Sequence, residues 1–307
     1  APATARRMIA VPDVGEKSSP DIISGAAGAG LFLLDMHAVT GDARYTEGAR
    51  RLGDFLIERA EPRTAGVTWK LYGPPGGRQP EYYFVGFSHG PAGIAYYLDR
   101  LHRVTGQDRY RAAADQAMAY IEHVAIREGD HVKWFHEELR RRTRYSSQWC
   151  HGAPGMNPVF LAFHQRSANP EYLGWAATNT RYLLDQGVNV RANPSVCHGV
   201  TGNTASLYGM YRTTGDPQYA AAIRSAVELL YGTMKQGPHG VYWDAPDYDP
   251  DYRRDYSYMT GLAGIGDFFV LLATDGRLNM FGPLGYGDDL AAPVRSGGRE
   301  AADGKAG

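Results

Sequence analysis

"HGPAGIAYYLDRLHRVTGQ", residues 89–107, opens on a Gly-x-x-Gly turn, continues as an apolar segment and stops at Thr-Gly. The segment is about three helical turns long and apolar nearly all round, as expected of a helix buried on several sides. Gly106 stands where helix terminators stand. The next stretch, "DRYRAAADQAMAYIEHV" (108–124), is different: apolar residues line one face and charges the other. A buried helix is thus followed by an amphipathic one that can sheath it.

The same grammar recurs. "SGAAGAGLFLLDMHAVTGD" begins at Ser24, "HGAPGMNPVFLAFHQRSAN" at His151, "HGVTGNTASLYGMYRTTGD" at His198, and "TGLAGIGDFFVLL" at Thr260. The leading glycines are Gly25, Gly90, Gly152, Gly199 and Gly261, at steps of 65, 62, 47 and 62 residues. Amphipathic partners follow the third and fourth copies as "PEYLGWAATNTRYLL" and "PQYAAAIRSAVELLY". Repeats of this length are read before anything else, because each unit buries its apolar face only against its neighbours. Inner apolar helix, outer amphipathic helix, repeated, predicts an all-α fold, an α/α toroid of inner/outer helix pairs. Five inner helices are few for a closed ring, so one or more N-terminal units are expected to be missing or supplied by another segment. Residues 65–87 and 236–259, rich in Gly, Pro and aromatics, read as long loops or short hairpins. The expected division is an N-terminal segment 1–20, a toroid domain 21–281 and a disordered tail 282–307.

The repeat converts distant residues into neighbours. Immediately before the first glycine stand Ser24, His89, His151, His198 and Thr260, and one place earlier Ile23, Ser88, Cys150, Cys197 and Met259. In a toroid these positions share one end of successive inner helices, around the mouth of the cavity. Both cysteines of the chain and three of its ten histidines are therefore expected to converge there. Positive partial charge at helix N-termini favours thiolate over thiol. Thiolates and imidazoles meeting at one point are zinc-site chemistry. Four ligands from Cys150, His151, Cys197 and His198 would close a structural tetrahedron. Three would leave a position open, and that is the favoured reading because adjacent residues strain to reach one ion at both corners. Which histidine is excluded stays open on these grounds. The plainer alternative is a pair of buried cysteines acting as small hydrophobes beside hydrogen-bonded core histidines.

Composition excludes several classes. A net charge of −1 and no long Lys/Arg run remove the footprint of a nucleic-acid binder. No apolar stretch is long enough to span a bilayer, and the N-terminus lacks the apolar core of a secretory signal. Two cysteines make no disulfide framework, which points to a reducing, cytoplasmic setting. With no initiator Met, a processed chain or a piece of a longer one is expected.

"WCHGAPG" (149–155), "CHGVTGN" (197–203), "SHGPAGIAYYL" (88–98) and the Gly-x-x-Gly repeats resemble the lanthionine synthetase cyclase, or LanC-like, family over about residues 20–280. The resemblance implies a toroid with a central zinc ion held by Cys150, Cys197 and His198, its fourth position open to a substrate thiol. It implies a zinc-dependent cyclase that adds peptide cysteine thiols to dehydroalanine or dehydrobutyrine, forming lanthionine or methyllanthionine rings. The substrate would be a ribosomal precursor peptide dehydrated by a kinase/lyase domain or protein, since no such signature lies in these residues. By the same resemblance the acid that protonates the enolate falls on His89, with Asp21 in "DIISG" as its orienting carboxylate.

Two positions depart from the nisin-type pattern. His151 replaces a tyrosine, as in eukaryotic LanC-like proteins, and is a further acid/base candidate. Ser146 replaces an arginine, with Arg144 nearby. The alternatives are a LanC-like protein that adds glutathione to dehydro amino acids, and a non-catalytic zinc-containing peptide scaffold. A toroidal glycoside hydrolase or epimerase drawing on "WDAPDYDPDYRRDY" (243–256) ranks behind them, because it gives the two Cys-His-Gly motifs no work.

Overall fold

The computed structural model describes residues 14, 18–72, 81–138, 147–188, 193–244 and 255–276. The segment 1–20 falls mostly outside the described residues, and the tail 282–307 falls wholly outside them. Nine helices are present among the described residues. The inner ones are α1 (Ala26–Thr40), α3 (Pro91–Thr105), α5 (Ala153–Ser167), α7 (Val200–Thr214) and α9 (Leu262–Ala273). The outer ones are α2 (Ala43–Glu58), α4 (Asp108–His123), α6 (Pro170–Gln186) and α8 (Pro217–Thr233). Each of the first four inner helices packs on the outer helix that follows it and on the next inner helix, which is the α/α toroid.

Local chemistry explains the alternation. In α5 and α7 every residue from Ala153 to Phe163 and from Val200 to Met210 is buried, so these helices have no solvent face. In α4 burial is confined to Tyr110, Ala114, Ala117, Met118, Tyr120 and Ile121, a single stripe. The inner helices end at a left-handed residue: Gly41, Gly106 and Gly215, and in the third copy Ala168, with φ of 54°. Outer helices then start on side-chain caps, with Asp42, Asn169 and Asp216 accepting from the amides of Arg44, Glu171 and Gln218 at 2.9–3.0 Å.

The Gly-x-x-Gly turn is a packing requirement. A Cβ on Gly155 would lie 1.9 Å from the Trp149 carbonyl oxygen, and one on Gly202 1.9 Å from that of Val196. In both cases the obstacle is backbone six residues earlier, so it cannot rotate away. The turn thereby brings the approaching chain hard against the first turn of the inner helix.

A backbone belt then joins successive copies at the N-terminal ends of the inner helices. The Ile22 amide donates to the Ser88 carbonyl (3.1 Å), Ser88 to Cys150 (3.2 Å), Cys150 to Cys197 (3.3 Å) and Cys197 to Met259 (2.7 Å). Behind it, the buried Asn157 amide donates to Thr180 Oγ1 (2.6 Å) and Ser206 Oγ (2.8 Å), tying α5 to α6 and α7. Toward the other end of the inner helices, buried Asp99 on α3 takes Arg166 of α5 at 2.8 Å and Arg103 at 3.3 Å. Burial pushes the Asp99 carboxyl upward, and the two guanidiniums oppose that shift.

Short hairpins link the pairs: β1 (Glu61–Pro62) with β2 (Val67–Thr68), β3 (Leu71–Tyr72) with β4 (Glu81–Tyr82), β5 (Ile126–Glu128) with β6 (His131–Lys133), and β7 (Lys235–Gly237) with β8 (Gly240–Tyr242). The sequence reading placed hairpins or loops at 65–87 and 236–259 but not at β5–β6. Three share a device: Trp69, Trp134 and Trp243 donate their indole N–H to the carbonyls of Leu56, Ile121 and Leu230 at 2.7, 2.9 and 2.7 Å. Each donor sits 13 residues after its acceptor and ties the hairpin to a carbonyl near the end of the preceding outer helix.

Gly155→Ala and Gly202→Ala should each lose about 2–3 kcal/mol of stability, read by thermal or denaturant unfolding. Gly174→Ala, in the exposed middle of α6 where an added Cβ meets nothing, should be neutral or stabilising by up to about 1 kcal/mol. Equal effects at the three sites would contradict the close-approach argument.

Candidate metal centre

The belt places its side chains with little freedom. Cys150 and Cys197 are consecutive belt members, and His198 follows Cys197 directly. The ligand atoms of Cys150, Cys197 and His198 all lie within 4.8 Å of one another, and among the described residues no other His/Cys/Asp/Glu group converges in this way. Cys197 Sγ is 3.4 Å from His198 Nε2. Donors of a tetrahedral zinc, with Zn–S of about 2.3 Å and Zn–N of about 2.0–2.1 Å, stand roughly 3.3–3.8 Å apart. Cys197 and His198 stand at such a separation, and two soft sulfurs with one imidazole are a donor set that suits a zinc ion. The set has three members, which leaves a tetrahedron one position short.

The two thiols are chemically unequal. The neighbouring Cys197 sulfur, with burial, drives Cys150 far above the usual thiol range. Cys150 in turn lowers Cys197, and His198 and His89 add to the effect. Cys150 is 1% exposed, whereas Cys197 is half-buried.

Beside these sulfurs lies a carboxylate–imidazole pair. Asp21, fully buried, accepts from His89 Nδ1 at 2.5 Å. Asp21 Oδ1 also accepts from the Ser24 amide at 2.8 Å, which fixes the carboxylate plane. Because an ionised carboxylate only accepts, Nδ1 carries the hydrogen and Nε2 is the free end of the ring. His151 is a near neighbour of His89, their ring centroids 5.4 Å apart and the rings inclined by 29°. Every site residue singled out in the sequence thus lies at this mouth: Cys150, Cys197 and His198 as one cluster, Asp21 with His89, and His151 against them. Arg144 and Ser146 lie outside the described residues.

Two residues here were not singled out in the sequence. His136 places its ring centroid 4.1 Å from that of His151. Phe84 packs against both histidines, its ring centroid 5.6 Å from that of His89 and 5.1 Å from that of His151, so that the three rings form a triangle. Both come from inter-repeat connections, held by a bridge of Phe84 with Glu137 and a hydrogen bond from Val85 N to the His136 carbonyl at 3.2 Å. No repeat position marks them. Other histidines are structural: His37, His102 and His164 turn Nδ1 to the carbonyl five residues on, at 3.2, 3.2 and 2.9 Å. No helix among the described residues is long and apolar enough to cross a membrane.

Residues 4–282 match the family of the lanthionine synthetase C-like protein. A zebrafish (Danio rerio) protein named glutathione S-transferase LANCL1 is 26% identical over 199 residues, covering 65% of this chain and 45% of its own length. The chain thus spans under half of that relative. Among solved structures, nisin cyclase superposes with a TM-score of 0.65 at 16% identity, covering 92% of this chain and 71% of that one. The α-1,6-mannanase GH76A of Salegentibacter sp. HEL1_6 superposes with a TM-score of 0.58 at 12% identity, covering 92% and 82%. At these identities the two structures speak for the toroid alone.

In the metal-free protein, iodoacetamide at neutral pH should label Cys197 well before Cys150, read by peptide mass spectrometry. Because the Cys197 thiol is lowered, its labelling rate should hold as pH falls through the range where a free thiol, pKa about 8.5, has already lost most of its reactivity. Preferential labelling of Cys150 would reverse the assignment.

Proposed function

This chain belongs to the lanthionine synthetase C-like family, and we propose that it is a zinc-dependent cyclase. In this reading it joins cysteine thiols of a dehydrated ribosomal peptide to dehydroalanine or dehydrobutyrine, forming lanthionine or methyllanthionine. One observation carries the reading: a three-donor sulfur–sulfur–imidazole cluster, Cys150, Cys197 and His198, stands beside the Asp21–His89 pair. Zinc held by those donors would supply a thiolate at neutral pH by lowering the pKa of a thiol in its fourth position.

The protein's own groups do the rest. The substrate S–H bond breaks, the sulfur bonds to the β-carbon, and the C=C pair moves onto the α-carbon and its carbonyl as an enolate. His89 Nε2 takes up the proton released from the thiol and delivers it to the α-carbon, while Asp21 keeps Nδ1 protonated and the ring aimed. One thiol hydrogen is exchanged for one C–H, so the peptide's mass does not change. His151, beside His89, is a second candidate for carrying the proton. The five inner-helix N-termini around the mouth favour the negative charge that develops there. An upstream kinase/lyase activity must dehydrate the peptide first, because addition needs an existing C=C bond.

A second reading changes only the thiol. Similarity to the zebrafish protein named a glutathione S-transferase favours glutathione as the nucleophile, added to dehydro residues of another polypeptide. A peptide carrying both cysteine and dehydroalanine, incubated with and without glutathione, separates the two: ring closure keeps the mass, whereas glutathione addition raises it.

X-ray absorption at the zinc edge should show two sulfurs, one nitrogen and one lighter atom, and Cys197→Ala should lose the metal. His89→Asn should keep zinc while slowing ring closure about 10²–10⁴-fold, followed as protection of peptide thiols from N-ethylmaleimide. A closed shell of two sulfurs and two nitrogens would favour the scaffold instead.

A further inference from the structure

Phe84 is an apolar side chain outside the hydrophobic core, part-exposed and packed on polar rings. It follows β4 by two residues. Its ring meets those of His89 and His151 at inclinations of 44° and 50°. Tyr82 stacks nearly parallel to it in an offset arrangement, at 5.4 Å and 4°. A strip of aromatic rings therefore runs from the β3–β4 hairpin to the Asp21–His89 pair. The backbone beneath it is pinned: Val85 N donates to the His136 carbonyl (3.2 Å), and Glu138 N donates to the Tyr83 carbonyl (2.8 Å). Holding a phenyl ring at this place, partly in water, costs apolar exposure that a bound ligand would relieve.

We propose that Phe84 is the specificity-determining residue for the acceptor of the thiol, its ring forming the platform for the dehydro residue. The inference rests on the thioether-forming reading above. A dehydro residue is planar and conjugated, and flat π systems pack on aromatic rings in offset or edge-on arrangements. Its α-carbon has to come within hydrogen-bond reach of His89, whose ring is in contact with Phe84. A saturated residue is tetrahedral at that carbon and cannot lie flat on the ring. Phe84 thus selects an unsaturated residue and presents its α-carbon to the acid, while the thiol side is left to Cys150, Cys197 and His198.

The probe is a peptide that carries dehydroalanine and no cysteine, so that binding to the zinc-loaded protein is read by calorimetry without reaction. The same peptide with alanine in place of dehydroalanine is the control. Phe84→Ala should weaken the dehydroalanine peptide about tenfold and leave the alanine peptide unchanged. Phe84→Tyr should restore the preference, and zinc content should stay at the wild-type value in both variants. In cyclisation, Phe84→Ala should raise KM with kcat nearly constant. Equal weakening of both peptides, no weakening of either, or loss of zinc from Phe84→Ala would each overturn the proposal. Should the wild type bind dehydroalanine selectively through Phe84 but close no ring, the acceptor platform stands and the cyclase reading falls.

Discussion

The site depends on a run of four backbone hydrogen bonds. From Ile22 to Ser88, Cys150, Cys197 and Met259, each amide finds the carbonyl of the next copy. Because the linking groups are backbone, the spacing between successive copies is set by peptide geometry and not by side-chain length. The glycine turns are the precondition, since only a residue without Cβ lets the entering chain lie against the helix it is about to become. Two sulfurs that are 47 residues apart in sequence are thereby held as neighbours before any metal binds. The flexible-ligand entropy that binding would otherwise cost is met during folding.

That preorganisation has an electrostatic consequence. Two thiolates side by side repel, so with no cation between them Cys150 is pushed above and Cys197 below the usual thiol range. A divalent cation relieves the repulsion and displaces a proton, so metal affinity and proton release are coupled at this pair. The imidazole of His89 is close enough to act on the charge at Cys197, yet its own hydrogen is committed to Asp21. The sulfur–imidazole cluster and the Asp21–His89 pair therefore lie side by side while His89 keeps its own carboxylate partner.

Most of the toroid was legible because its signals are local and periodic. The glycine pairs, the apolar segments after them and the amphipathic partners recur in each full unit, and Cys150, His151, Cys197, His198 and His89 fall into place once the register is drawn. Asp21 sits four residues before its glycine, outside that register, and was found through the family resemblance. Phe84 and His136 were not found, for a physical reason. Their positions come from a bridge between residues 84 and 137 in two irregular connections, and no local periodicity encodes such a pairing. A weaker signal was present and unread: Trp69, Trp134 and Trp243 recur after their outer helices at a constant offset and mark the hairpins. Likewise His37, His102 and His164 occupy one repeat position at the far end of the inner helices, which separates structural histidines from those at the mouth.

The same belt explains how one architecture can hold unlike chemistry. Ser88, Cys150, Cys197 and Met259 take equivalent places and use equivalent backbone groups, so the spacing of the belt does not depend on which side chain each carries. The next residues, Ser24, His89, His151, His198 and Thr260, each lie just ahead of the glycine that begins its helix. The nine side chains at these positions can thus differ from copy to copy on one backbone frame, with Ser88 and Cys150 buried in it. Here the second and third copies contribute His89 and His151, the third and fourth contribute the sulfurs, and the fourth adds His198. The first and fifth copies carry Ser and Thr, whose hydroxyls bond to Asp21 and Asp255. The proposed ligand and acid residues fall on one arc of the mouth because they occupy consecutive copies, and consecutive copies are the ones joined by the belt.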